Sequence, residues 1–255
     1  MNEKTTSAGR LILPTIIGAG LLLGGAAAGF FWHKGTTRAD PAAALSPASR
    51  AAVEKVVHDY ILENPSILPQ AMENLRKQQD TDRLSAIRDQ VTEPFPGAVL
   101  GNPEGKITLV EFTDFACGYC RQSVADVEHL IEKNPDLRIV IRELPVLSPE
   151  SGDAARMALA AAEQGKYAAF HHAMFAAGRP STATIAAAAR QAGLDMERAK
   201  AAIGSARVKQ ELNRNFEYAR QLGFEGTPSW IAGDELLQGA IGKERLAEAI
   251  EKVRD

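Results

Sequence analysis

The sequence predicts an α/β domain with a helical insertion, preceded by a membrane-spanning segment and a helical N-terminal region. Three patterns predict the domain: strand and helix alternate over residues 107–142, alanine-rich helical sequence fills residues 151–222, and a hairpin pattern followed by a helical one closes the chain. A strand, a helix and a second strand of these lengths are typical of a right-handed βαβ unit with parallel strands.

The central stretch of the domain places both cysteines of the chain at a helix N-terminus. Residues 107–112 are apolar or β-branched and indicate a buried strand. From Gln122 onward, apolar residues recur at helical spacing: Val124, Val127, Leu130 and Ile131. Cys117 and Cys120 therefore lie at the first turn of a helix, where the helix dipole and free amide groups stabilise a thiolate and lower its pKa.

This placement predicts thiol–disulfide exchange, with Cys117 as the attacking thiolate and Cys120 as the resolving thiol. A zinc site is an alternative, but zinc requires four ligands, there is no third cysteine, and His129 lies on the same helix. An inert disulfide would close too short a loop to stabilise the fold much. A buried pair of ordinary core thiols is the third alternative.

Composition limits the other classes of function. The chain has 255 residues, 45% of them hydrophobic, and a formal net charge of −3, so we expect no nucleic-acid surface. Two cysteines cannot form a disulfide framework. We expect no cofactor and no metal site; His171 and His172 are adjacent on a predicted helix, do not share a face, and are interpreted as structural or solvated.

The N-terminus predicts a membrane anchor. Residues 11–32 carry no charge and are long enough to cross a bilayer. We expect an uncleaved signal anchor, with residues 1–10 in the cytoplasm and residues 33–48 as a linker. The alternative is cleavage near residues 26–28, which would leave a soluble periplasmic protein. Cysteine chemistry indicates the oxidising space outside the inner membrane for the catalytic domain.

Residues 49–93 form a helical region that is too small to bury a core of its own. Apolar stripes run through it on both sides of a break at residues 64–66. We expect this region to join copies of the chain into a homo-oligomer; packing on its own chain is the alternative. Pro94 and Pro96 mark the start of the α/β domain, residues 94–255.

The combination resembles thioredoxin-fold proteins of the DsbA family. The resemblance covers residues 95–255 and rests on the strand, Cys-Gly-Tyr-Cys and helix unit, on the helical insertion, and on residues 226–229, which open the last hairpin. Residues 49–91 are similar to the N-terminal region of ScsC-like and Com1-like members. The resemblance implies a protein thiol:disulfide oxidoreductase.

The family also implies roles at matching positions. Pro228 corresponds to a cis-proline that faces the cysteines, and Thr227 before it would pair with an extended substrate segment like an added strand. Gly118 and Tyr119, between the two sulfurs, would tune the redox potential.

Glu111 lies six residues before Cys117, where the family often carries a buried acid. The resemblance implies that this acid accepts the proton of Cys120. The alternative is a satisfied or partly exposed strand carboxylate without a catalytic role.

The direction of transfer is predicted from the motif. Cys-Gly-Tyr-Cys with Thr before the cis-proline is similar to DsbC-type isomerases, whereas DsbA oxidases carry Cys-Pro-His-Cys and Val. We therefore expect an isomerase that acts on exported proteins with cysteines and depends on a DsbD-like or DsbB-like membrane partner. The alternatives are a DsbA-like disulfide-donating oxidase and, outside the enzymes, a membrane-tethered Cu(I)-binding or chaperone module.

Overall fold

The computed structural model of the protein describes residues 46–254. The predicted anchor, residues 11–32, and most of the predicted linker lie outside these residues. Within residues 46–254, none of the helices combines the length and the apolar character needed to cross a membrane.

The described residues divide into two units, one ending at Pro69 and the other beginning at Gln70. In the first unit, helix α1 (Pro47–Glu63) begins at Ser46, whose Oγ accepts a hydrogen bond from the Ser49 backbone amide. No residue of α1 is buried, and its large apolar side chains are 50–68% exposed: Val53, Val56, Val57, Tyr60 and Leu62.

The second unit contains a five-stranded sheet in the order β1-β3-β2-β4-β5. Its strands are β1 (Val99–Gly101), β2 (Ile107–Thr113), β3 (Leu137–Glu143), β4 (Ser229–Ala232) and β5 (Glu235–Gln238). Strands β2 and β3 are parallel, and the other pairs are antiparallel. The predicted βαβ unit and hairpin are both present.

Helices cover both faces of the sheet. They are α2 (Ile67–Ser85), α3 (Arg88–Thr92), α4 (Gly118–Lys133), α5 (Pro149–Ala162), α6 (Tyr167–Ala176), α7 (Thr182–Gln191), α8 (Met196–Ile203), α9 (Ala206–Leu222) and α10 (Gly242–Arg254). Helices α5 to α9 form the predicted insertion between β3 and β4.

Alternating strand residues enter two separate cores because successive side chains of a strand point to opposite faces. Leu109 and Ile139 pack with residues of α4, α5, α6 and α10 on the face that we call the thiol face, since it also holds both cysteines. Val110, Phe112 and Val140 pack on the other face with residues of α3 and α9, and we call this the buttress face.

The end of the predicted N-terminal region belongs to this domain. Leu84, Ile87 and Val91 are 0–6% exposed and join the core of the buttress face. The units divide after Pro69, earlier than the predicted boundary at residue 94. Leu84, Ile87 and Val91 are the few apolar residues in a charged helical segment. They form the narrow face that packs on the sheet, and the other faces of the segment can therefore be polar.

Candidate active site

The site lies at one edge of the sheet, where three chain segments meet. Parallel strands β2 and β3 end at the same edge, at Thr113 and Glu143. Strand β4 is antiparallel to β2 and begins there, at Ser229. The loop before α4, residues 144–148 and residues 226–228 therefore surround the first turn of α4.

Cys117 is the N-cap of α4. Its sulfur accepts a hydrogen bond from the backbone amide of Cys120 at 3.4 Å, and its thiol donates one to the Thr227 carbonyl at 3.2 Å. The hydrogen bond from the Cys120 side chain, with those from the backbone amides of Cys120 and Tyr119, lowers the pKa of Cys117 to about 5. This pKa favours the thiolate form of Cys117 at neutral pH, whereas the hydrogen bond to the Thr227 carbonyl is made by the thiol form.

Cys120 lies one turn further into the helix and is 1% exposed. Burial raises its pKa, and the neighbouring Cys117 sulfur raises it further. Both cysteines are free thiols in this structure. The pair is thus strongly asymmetric: the outer sulfur is ionised and the inner one holds its proton.

Residues 226–229 face the thiols. The Thr227–Pro228 peptide bond is cis, and the Ser229 hydroxyl donates a hydrogen bond to the Gly226 carbonyl at 2.7 Å. The Thr227 carbonyl is the group that contacts Cys117. The structure thus brings Thr227, Pro228 and the cysteines together.

Glu111 is 3% exposed, in the middle of β2 on the thiol face. Burial raises its pKa to about 8, and the negative charge of Cys117 adds to this. Its charge in turn contributes to the raised pKa of Cys120. A carboxyl group with this pKa can exchange a proton near neutral pH.

The two residues between the cysteines, Gly118 and Tyr119, are not packed against the rest of the domain. A side-chain carbon at Gly118 would have no atom within 4 Å, and Tyr119 is 64% exposed.

Among residues 46–254 there is no group of three or more His, Cys, Asp or Glu side chains arranged to hold a metal ion. His171 is buried, with its pKa lowered to about 3 by burial, while His172 is exposed near Glu128.

Two buried acids escaped the sequence analysis. Asp114 is 1% exposed and accepts hydrogen bonds from three backbone amides: Ala116 at 2.8 Å, Val146 at 2.9 Å and Leu147 at 3.0 Å. Glu143 is fully buried and accepts a hydrogen bond from the Tyr167 hydroxyl at 2.6 Å. The signal for Glu143 was available, because two-residue alternation along β3 places it on the face of Ile139 and Ile141.

Two stretches of the chain match models of known families. Residues 108–251 match the model of the DSBA-like thioredoxin domain, and residues 50–80 match that of the copper resistance protein ScsC N-terminal domain. Among curated proteins, the Na(+)/H(+) antiporter NhaA of Herminiimonas arsenicoxydans is 28% identical over 178 residues, which are 69% of this chain and 28% of the antiporter. The chain thus spans only about a quarter of the length of these curated relatives.

Several solved structures are similar to this chain. A thioredoxin-like oxidoreductase from Silicibacter pomeroyi is 40% identical with a TM-score of 0.62, covering 66% of this chain and 97% of that one. A linker-deletion variant of ScsC from Proteus mirabilis is 26% identical with a TM-score of 0.66, covering 83% and 97%. The thiol-disulfide exchange protein α-DsbA2 from Wolbachia pipientis is 28% identical with a TM-score of 0.64, covering 70% and 98%.

The asymmetric thiol pair, the cis-proline loop opposite it and these matches lead to one assignment. The protein belongs to the DSBA-like thioredoxin domain family, and its structure is similar to those of thiol:disulfide oxidoreductases of the DsbA and ScsC type.

Proposed function

We propose that the protein reduces and reshuffles wrong disulfides in exported proteins, as a self-associating disulfide isomerase. The observation that carries thiol–disulfide exchange is the asymmetry of the thiol pair: the pKa of Cys117 is lowered to about 5 while that of Cys120 is raised. The isomerase direction rests on the Cys-Gly-Tyr-Cys motif and on Thr227 before the cis-proline. An isomerase needs one thiol that attacks readily and a second one that attacks only when the first is trapped.

The steps follow from this asymmetry. The Cys117 thiolate attacks one sulfur of a substrate disulfide, forms a mixed disulfide and releases the other substrate sulfur as a thiolate. That thiolate can attack another disulfide of the same substrate. Return of a substrate thiolate to the mixed disulfide then frees Cys117 with no net oxidation, which is isomerisation.

When rearrangement stalls, Cys120 attacks the Cys117 sulfur. Its proton passes to Glu111 in the ionised form of that side chain, which is the minor form at neutral pH because its pKa is about 8. The substrate leaves as a thiolate, and Cys117 and Cys120 form a disulfide. The substrate gains two electrons and the enzyme loses two. An electron-supplying membrane partner of the DsbD type must then reduce the pair.

The N-terminal helices support an oligomer. The apolar side chains of α1 and the start of α2 are about half exposed or more, including Tyr60 at 57% and Met72 at 72%. Burial of each large apolar side chain would contribute about 1.5–3 kcal/mol. An oligomer joined through residues 49–93, anchored by residues 11–32 on the periplasmic side of the inner membrane, would surround a misfolded substrate with several thiol sites.

The experiment is refolding of a substrate with scrambled disulfides by the full chain. We expect Cys117→Ser to abolish recovery of native substrate, and Cys120→Ser to accumulate mixed disulfides. The oligomer is measured on the same samples by light scattering, with Val56→Glu as the variant that separates the subunits. Recovery by Cys117→Ser equal to the parent would overturn the proposal.

A disulfide-donating oxidase is the second candidate, favoured by the same low pKa of Cys117. A stabilised thiolate favours the reduced form, so the disulfide form becomes a stronger oxidant. Alkylation of intact cells separates the two directions. A mainly reduced pair fits the isomerase, and a mainly oxidised pair fits the oxidase.

A Cu(I)-binding or chaperone module is the third candidate, favoured by the match of residues 50–80 to a copper resistance family. Two thiolates suit Cu(I). Stoichiometric Cu(I) binding by a protein that fails in the refolding assay would replace the enzyme proposal with this one.

A further inference from the structure

The catalytic domain exposes large apolar side chains in one region. Within residues 94–254 they are Tyr119, Val146, Leu147 and Phe216, which are 40–64% exposed. Tyr119 lies between the cysteines, and the next two lie just beyond the end of β3 at the same edge of the sheet. Exposed apolar side chains gathered beside a reactive group indicate a binding surface.

Asp114 connects this surface to the thiols. Its carboxylate holds the amide of Ala116, next to Cys117, and the amides of Val146 and Leu147. Its backbone carbonyl accepts a hydrogen bond from the Cys117 amide at 2.9 Å. One carboxylate therefore holds both the loop that carries Cys117 and the apolar loop after β3, and β3 and β4 lie on opposite sides of β2.

A groove of about 590 Å³ continues from this loop. It runs between the start of α5 and one face of α9, and its lining includes Pro145, Arg156, Lys209, Asn213 and Phe216. Lys209, Asn213 and Phe216 are spaced at i, i+4 and i+7, so they form one stripe along α9. We call this the α9 groove.

The groove offers positive charge beside apolar surface. It is lined by Arg156 and Lys209 and by no acidic residue. Arg156 is paired with Asp153 of its own helix at 2.5 Å. Lys209 is exposed, and no ion pair to it occurs among residues 46–254. A free cation beside an exposed aromatic ring suits a segment with one carboxylate and one apolar side chain.

We propose that the α9 groove is a second substrate subsite, which binds an extended segment of the substrate protein with an apolar side chain on Phe216 and a carboxylate on Lys209. The proposal rests on the proposed function, since the same substrate is held at Cys117. Seven helical residues span about 10 Å, which an extended peptide covers in about three residues. The carboxylate therefore lies about three residues from the apolar side chain along the bound segment.

The test uses peptides whose single cysteine is blocked as a mixed disulfide, followed by Leu and, three residues later, by Glu, Gln or Lys. Single-turnover exchange with the full chain is measured at low ionic strength. We expect the apparent KM to be about threefold lower for the Glu peptide than for the Lys peptide, the size of one exposed ion pair, and the difference to fade at high salt.

Lys209→Glu should reverse the order of the two charged peptides, and Phe216→Ala should raise KM for all of them. Lys106→Glu is the matched control, an exposed lysine just before β2 at the opposite edge of the sheet. The same KM for Glu and Lys peptides, or an order unchanged in Lys209→Glu, would overturn the subsite. Failure of the parent protein to exchange with glutathione disulfide would instead overturn the proposed function.

Discussion

The two faces of the central strands bury charge in opposite ways. On the buttress face, Arg142 is 2% exposed and forms a salt bridge at 2.7 Å with Glu211, which is 1% exposed. On the thiol face, Glu111 and Glu143 are equally buried, yet neither has a salt bridge among residues 46–254. Alternate residues of the same two strands thus carry a compensated charge on one face and uncompensated acids on the other.

The difference separates structure from chemistry. A buried charge that is fully paired keeps its charge and fixes geometry. A buried acid without a cation keeps its proton to higher pH, as the raised pKa values of Glu111 and Glu143 express. We therefore expect substitutions on the buttress face to change stability and those on the thiol face to change rates and pH profiles.

Arg142→Ala should have the largest effect. The guanidinium also donates hydrogen bonds to the backbone carbonyls of Gln90 and Val91, so it joins helix α3 to the sheet. Its loss leaves the buried Glu211 with only the exposed Arg214 of its own helix as a partner, at 2.5 Å, and should lower the free energy of unfolding by about 3 kcal/mol. Denaturant titration measures this.

The double variant Arg142→Met with Glu211→Leu is the control for that prediction. It removes both charges and should recover much of the lost stability. If the single variant unfolds at the same denaturant concentration as the parent, the contrast between the two faces is not real.

Glu111→Gln tests the opposite face. The amide keeps the shape of the side chain but cannot accept the proton of Cys120. We expect release of the substrate from the mixed disulfide to slow by about 100-fold, with unfolding little changed. Stopped-flow release should also lose its dependence on the group that titrates at about pH 8 in the parent. Partial recovery in Glu111→Asp, without a change in stability, would exclude a merely structural role.

His171→Leu tests how a buried ionisable side chain makes the stability of the domain depend on pH. The pKa of His171 is lowered from 6.5 to about 3 by burial, so the unfolded chain binds a proton that the folded chain does not. Its contribution to stability is present above pH 6.5 and is lost as pH falls toward 3. Between pH 6.5 and 3, the free energy of unfolding of the parent should fall by about 1.4 kcal/mol per pH unit more than that of the variant. Parallel denaturant titrations of the two proteins measure this difference. Equal slopes for the two proteins would contradict a neutral buried ring.

Cys120→Ala should have the smallest effect of the four. Alkylation of Cys117 in the parent should be half-maximal at about pH 5. The side-chain hydrogen bond from Cys120 is the largest contribution to this low pKa, so its removal should raise the midpoint by about 1 unit. Iodoacetamide rates at several pH values measure the shift. A midpoint that stays in place would mean that backbone amides alone stabilise the thiolate.

The local patterns in the sequence were sufficient to predict the strands that surround the thiols. The hairpin predicted to open at residues 226–229 is present as β4 and β5, residues 229–232 and 235–238. The predicted strand at residues 107–112 needs one more residue, Thr113, to reach the end of β2. These elements have short, strong apolar periods, and Gly233 provides a clear turn signal.

Contacts between distant segments could not be predicted in this way. Asp114 is an ordinary loop residue in the sequence, and its role depends on Val146 and Leu147, which only the pairing of β2 with β3 brings close. Contacts of this kind depend on how the strands pair, and the sequence of one segment does not reveal that pairing.

Asp114 also has a consequence for how this surface can change. Its carboxylate binds only the backbone of Val146 and Leu147, while both side chains project into solvent. The loop can therefore accept other side chains at these two positions without moving the thiols. Substrate preference can diversify here independently of the redox chemistry, and a loop from a related protein could be transplanted to redirect the enzyme.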